Sequence, residues 1–222
     1  MKRINLFTGH FGSGKTEMAI NYARKLKKDG VAKVTIVDLD IVNPYFCSRD
    51  LEDELKAEGI RMISQGPHLA NAELMVVPGE VMSAFQQTDH TVIFDIGGDD
   101  MGATALGQYK RFFDEGDYEM FFVVNTSRPM TRVVEEVKEY LDSIEIASRL
   151  KVTQLINNSN MSYDTSLEVI LQGEEVIKQL SEMTGLPHAF TAVRRDLAEE
   201  AKQVVKGEIF PIDINMRPPW TD

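Results

Sequence analysis

Short apolar, β-branched runs alternate along this chain with longer stretches in which apolar residues recur at helical spacing. Ile4-Asn5-Leu6-Phe7-Thr8 reads as a strand, and Ala19, Ile20, Ala23 and Leu26, with Lys and Arg between them, predict an amphipathic helix over Glu17 to Lys28 that stops at Gly30. Lys33 to Val37 is a second strand ending in Asp38-Leu39-Asp40, after which Asn43-Pro44 reads as N-cap and first-turn proline of a helix through Leu55. A short strand is expected around Ile60-Arg61-Met62, a loop over Gln65 to His68, a helix over Val81 to Phe85, and a strand over Thr91 to Phe94 running into Asp95-Ile96-Gly97-Gly98-Asp99-Asp100. Met101-Gly102-Ala103 reads as a mobile small-residue segment. The second half repeats the rhythm: strands Met120 to Val124, Val152 to Ile156 and Ala189 to Val193, and helices Val133 to Leu150, Leu167 to Met183 and Ala198 to Val205. Strands apolar on both sides, alternating with helices, specify a parallel sheet covered on both faces. Right-handed crossovers bring every strand's carboxyl end to one rim, where such sheets bind ligands.

Length and charge narrow the picture. The 222 residues carry no evident linker and are expected to form one domain over 1–222. The 24 basic and 35 acidic residues leave a formal charge of -11, which argues against nucleic acid and membrane surfaces as partners. Met1-Lys2-Arg3 leads into a strand, no apolar run reaches the roughly 18 residues of a membrane span, and the protein is expected to be cytoplasmic. The single Cys47 excludes an internal disulfide or a CxxC metal pair. The 11 methionines form no helical stripe and read as gap-fillers of the core.

The chemistry is concentrated in Gly9-His10-Phe11-Gly12-Ser13-Gly14-Lys15-Thr16, a complete G-x-x-x-x-G-K-T loop between a strand and a helix. Its glycines let consecutive backbone N–H groups converge on an anion, and the helix N-terminus adds partial positive charge. Lys15 is suited to the β- and γ-phosphates and the Thr16 hydroxyl to Mg²⁺. Asp38, Asp40 and Asp95 end strands on the same rim. The histidines His10, His68, His90 and His188 are scattered, so no metal other than Mg²⁺ is indicated.

Together the phosphate loop, Val37-Asp38-Leu39-Asp40 and Asp95-Ile96-Gly97-Gly98 resemble the MinD/ParA/CobQ-type branch of the SIMIBI class of P-loop nucleotide-binding proteins, over nearly the whole chain. Within it, the GHFGSGKTE-like loop, which Glu17 closes, and the DLDIVNPYF-like second strand are most similar to an uncharacterised ATP-binding subgroup. The resemblance implies a three-layer α/β/α P-loop NTPase with a mostly parallel central sheet. It also implies that residues 9–17 hold nucleotide, that Asp38 and Asp95 approach Mg²⁺ or its water shell, that Asp40 orients or deprotonates the attacking water, and that the Gly98 N–H meets the γ-phosphate. Asn157 matches the position where many class members read the base, and Asn158-Ser159-Asn160 lacks the aspartate of a guanine signature, so ATP is preferred to GTP. In the ATP-dependent dimers of this branch a lysine stands five residues before the invariant one. Here that residue is His10, whose ordinary pKa near 6.5 supplies no permanent charge; a homodimer stays open.

Two functions follow from the resemblance: an ATPase switch acting on a protein partner, or a ligase or kinase of the dethiobiotin synthetase/CobQ type that passes the γ-phosphate to a small carboxylate. Arg49, Arg128, Asp99 and Asp100 are candidates to meet phosphate, substrate or partner, or are solvated charges. A DNA-partitioning or membrane-positioning role is disfavoured by the charge and by the prolines of Arg217-Pro218-Pro219-Trp220-Thr221-Asp222, which oppose a terminal amphipathic helix.

Overall fold

The computed structural model describes residues 2–40, 51–64, 79–98, 100–113 and 117–216. The expected cap at Asn43-Pro44, Cys47, Arg49, the loop over Gln65 to His68, Asp99, the side chain of Asp100 and the segment from Arg217 to Asp222 lie outside the described residues.

Eight strands form one sheet in which every pairing is parallel: β1 (Ile4–Thr8), β2 (Val34–Leu39), β3 (Ile60–Ile63), β4 (Thr91–Ile96), β5 (Tyr118–Val124), β6 (Gln154–Asn157), β7 (His188–Arg194) and β8 (Ile209–Ile212), in the order β3-β2-β4-β1-β5-β6-β7-β8. The chain winds outward from β1 through β2 and β3, returns in β4, and then builds the other half from β5 to β8. The order therefore reverses at β1, and the crevice at its carboxyl end is where the phosphate loop emerges.

Period-two alternation divides the sheet's side chains between two cores. Leu6, Val37, Phe94 and Phe122 face helices α3 (Gly79–Gln86), α4 (Asp100–Gly107), α5 (Val134–Ser148) and α6 (Leu167–Thr184), burying Val81, Leu106, Leu141 and Ile177. Their neighbours Phe7, Ile36, Ile93 and Phe121 face α1 (Lys15–Lys28) and α2 (Glu52–Ala57), against Met18, Ile20, Ala23 and Leu55. Helix α7 (Ala198–Val204) packs Ala201 against Val193 and Ile170 in a smaller cluster. No helix among the described residues is long and apolar enough to cross a membrane.

Two elements differ from the sequence reading. Met101-Gly102-Ala103 is not a mobile segment but lies in the first half of α4, and Gly102 is a glycine because the helix there lies directly on the backbone after β4. A Cβ at Gly102 would stand 2.6 Å from the Gly97 Cα and carbonyl oxygen. Strand β8 was not anticipated, since Pro211 interrupts its apolar run; as an edge strand it tolerates the missing N–H.

Because backbone rather than a flexible side chain opposes that Cβ, Gly102→Ala is expected to destabilise the protein by roughly 1–3 kcal/mol, as overpacking does. Urea unfolding monitored by circular dichroism reads this as a lower midpoint; an unchanged midpoint contradicts the close approach.

Candidate nucleotide site

The turn that follows β1 is held from outside by donors of its own chain. Lys15 Nζ reaches the His10 carbonyl at 3.4 Å, Arg128 Nε the Gly12 carbonyl at 3.1 Å, and Asn158 Nδ2 the Ser13 carbonyl at 2.7 Å. Gly14 is left-handed, with φ 88°, and a Cβ there would stand 2.3 Å from Asn158 Nδ2. Only glycine allows both the turn and the closeness of Asn158. Gly98 lies across the loop, where an added Cβ would come within 2.5 Å of Lys15 Nζ and 2.8 Å of the Phe11 nitrogen. The Tyr140 hydroxyl of α5 donates to the Gly98 carbonyl.

The acidic side of the site follows from strand register. β2 and β4 are neighbours and pair Asp38 with Asp95 across the ladder, and the Asp40 N–H donates to Asp38 Oδ1 at 2.9 Å, so the whole D-x-D turn is drawn in. Lys15, Thr16, Asp38, Asp40 and Asp95 are all buried, which sets three carboxylates against one ammonium. Burial, and then the Asp38 carboxylate, push the Asp95 carboxyl well above its usual range; the Thr16 hydroxyl and Lys15 draw it down, and Asp40 raises it further. Neither Asp95 oxygen has a hydrogen-bond partner among the described residues.

Thr8 Oγ1, Ser13 Oγ and Asn158 Oδ1 are likewise buried without a hydrogen-bond partner. Unpartnered buried oxygens are uncommon in folded proteins, and here they gather on the loop and on the strand ends beside it. A cation fits this donor set: two adjacent carboxylates and a threonine hydroxyl, all hard oxygens, suit Mg²⁺, which takes one or two carboxylates and completes its shell from phosphate and water. Among the described residues no group of three or more His, Cys, Asp or Glu forms a self-sufficient metal cage.

A cavity of about 490 Å³ adjoins the loop, lined by Lys15, Thr16 and Asp40 together with Ile170, Val193 and Ile214. Its size and its mixed polar and apolar lining suit a triphosphate joined to an aromatic base.

Several expected residues gather here and others do not. Phe11, Gly12, Gly14, Lys15, Thr16 and Asp40 line the cavity. Glu17 also lines it, but its carboxylate is taken up by the segment after β8. Asn157 is fully buried away from the cavity: its amide donates to the Ile170 carbonyl at 3.1 Å and to Glu174 at 2.7 Å, and its oxygen accepts from the Ser159 N–H. It is the last residue of β6, so its side chain still packs against α6, and the amide at the cavity is that of Asn158, the first residue beyond the strand. His10 turns back on its own chain, Nδ1 donating to the Phe11 carbonyl at 2.8 Å and the ring meeting Tyr140 edge-on at 4.8 Å between centroids. Tyr140 and the wall formed by Ile212, Ile214 and Met216 went unrecognised in the sequence, although the alternation from Ile209 to Ile214 marks that wall.

No family model matches this chain, and no curated protein matches it. Solved structures do. The signal recognition particle receptor FtsY from Elizabethkingia anophelis, in complex with GDP, superposes with a TM-score of 0.56 at 19% identity, over 87% of this chain and 58% of that one. FtsY from Mycoplasma mycoides gives a TM-score of 0.60 at 15% identity, over 87% and 60%. FlhF complexed with GTP and Mg²⁺ gives 0.50 at 15%, over 78% and 62%. The chain thus spans about three fifths of the length of the proteins it matches. At these identities the likeness establishes the fold alone, an α/β P-loop NTPase architecture around a parallel central sheet.

A raised Asp95 pKa has a definite sign. The ionised carboxylate is disfavoured in the folded chain, so ligand-free stability is greatest below the ordinary carboxylate pKa and declines as pH rises toward the raised folded value. Asp95→Asn is expected to remove that decline and raise the ligand-free melting temperature at neutral pH, at roughly 2–4 °C per kcal/mol for a chain of this size. Calorimetry from mildly acid to mildly alkaline pH checks it; a lower melting temperature for the variant contradicts the buried repulsion.

Proposed function

We propose that this chain is a Mg²⁺-dependent ATPase of one domain, working in the cytoplasm as a nucleotide-dependent switch on a protein partner. The observation that carries this reading is the buried set Lys15, Thr16, Asp38, Asp40 and Asp95 beside a glycine loop, closed over by Gly98. Phosphoryl transfer asks little of a protein beyond positioning and charge stabilisation. In this reading Lys15 neutralises the terminal phosphates, the loop amides cradle them, and Gly98 contributes its N–H at the γ-phosphate. Asp40 accepts a hydrogen bond from the attacking water and fixes its direction. Thr16, Asp38 and Asp95 would hold Mg²⁺, whose bound charge offsets that of the phosphates and of the carboxylates themselves.

The choice of base rests on Asn158. One of its amide hydrogens is spent on the Ser13 carbonyl, which leaves a second N–H and the unpartnered Oδ1. A donor beside an acceptor complements adenine, which offers N7 and its exocyclic N–H₂; guanine offers two acceptors, N7 and O6, on that edge. FtsY from Elizabethkingia anophelis was solved with GDP, and FlhF with GTP and Mg²⁺. Asn158-Ser159-Asn160 is where this chain carries no carboxylate for the guanine donors.

ATP with Mg²⁺ is expected to stabilise the protein by about 2.7 kcal/mol at a hundredfold excess over Kd, and GTP by less. Lys15→Ala should abolish that shift. Asp40→Asn should keep ATP binding and lose turnover by on the order of a hundredfold or more. Thermal shift and phosphate release measure both; absence of any ATP-induced shift in the native protein would remove the reading, and native turnover by Asp40→Asn would remove that role.

Because His10 is engaged with Phe11 and Tyr140 of its own chain, ATP is expected to leave the molecular mass unchanged at pH near 8 and near 6. Light scattering with ATP, with ADP and without nucleotide tests this. A nucleotide-dependent dimer that tightens as pH falls would give His10 the part of the missing lysine.

A further inference from the structure

Helix α1 presents the phosphate loop at its N-terminus, and one of its faces binds a second, distant piece of chain. Glu17, Asn21 and Arg24, spaced four and three apart, share that face. All three bind the extended segment after β8, Asp213 to Met216. The Glu17 carboxylate accepts from the backbone N–H of Asn215 at 2.8 Å and of Met216 at 2.9 Å, and from the Asn215 side-chain amide. The Asn21 amide donates to the Asp213 carbonyl at 2.9 Å and accepts from the Asp213 N–H at 2.8 Å, as a neighbouring strand would. Arg24 donates to Asn215 Oδ1 while Glu54 and Glu58 hold its other side. From β7's end, Arg195 adds a two-pronged grip on the Asp213 carboxylate, at 2.8 and 2.5 Å.

This segment is also the outer wall of the cavity, to which Ile214 and Met216 contribute together with Ile212 of β8. The wall is apolar at Ile212, Ile214 and Met216, and it is fastened to the residue directly after Thr16.

We propose that Glu17 and Asn21 are positioning residues that hold Asp213 to Met216 as the base-side wall of the pocket, so that α1 couples recognition of the phosphates to recognition of the base. This rests on the nucleotide reading above. Its consequence is selective: loosening the wall weakens a ligand that has a base and spares one that has only phosphates.

The test titrates the native protein, Glu17→Gln and Asn215→Ala with ATP and with inorganic tripolyphosphate, both with Mg²⁺. Asn215 is partly exposed, so its truncation leaves the core untouched. Both variants are expected to bind ATP about tenfold more weakly and tripolyphosphate within about twofold of the native value. Hydrogen exchange supplies a second readout: ATP, and not tripolyphosphate, slows exchange at the Asn215 and Met216 amides. Equal weakening of both ligands, or no weakening of either, would overturn the inference alone. A native protein that binds neither ATP nor GTP would overturn the nucleotide reading and the inference with it.

Discussion

The site is governed by the neighbouring positions of Asp38 and Asp95. Parallel pairing of β2 with β4 sets these residues opposite one another at the buried end of the ladder, and Asp40 follows because Asp38 caps its N–H. Bringing like charges together out of water is unfavourable unless a cation joins them. Lys15 offsets part of the charge and leaves an excess of carboxylate over ammonium. The fold therefore stores a demand for positive charge at the crevice, beside a glycine turn, a threonine hydroxyl and the backbone at Gly98, which approaches Lys15 and Phe11 closely.

How much of this could be read from the sequence depended on how local the determinant was. The phosphate loop, the D-x-D turn and the Asp95-Gly98 stretch are contiguous motifs, each following an apolar strand, and their shared rim follows from parallel topology alone. Reading failed where a residue's role is decided by a distant partner. Gly102 resembles a hinge until Gly97 is seen beneath it, and β8 is hidden because an edge strand tolerates a proline that a central one would not. Asn157 and Asn158 differ by one place in sequence, yet the end of β6 falls between them, so one amide ties the strand to α6 and the other reaches the phosphate loop. Glu17 belongs by position to the loop and by hydrogen bonding to residues almost two hundred positions later.

Tyr140 ties the Gly98 backbone and the phosphate loop to the helices outside the site. Its hydroxyl holds the carbonyl of Gly98, its ring meets His10 of the loop, and its helix, α5, packs along α4, which begins two residues after Gly98. A peptide that shifts at Gly98 thus has a mechanical path to the surface of two helices.

Pro211 has a bearing beyond the pocket. A sheet whose margins carry no further strand among the described residues offers unpaired backbone to any extended chain it meets, and such margins are where proteins associate wrongly during synthesis or after partial unfolding. By placing a residue without an N–H in β8, the chain breaks the regular row of donors that an incoming strand would need, and at the opposite margin β3 is short and carries Arg61. The proline that obscures the last strand in the sequence thereby guards the sheet against self-templated growth.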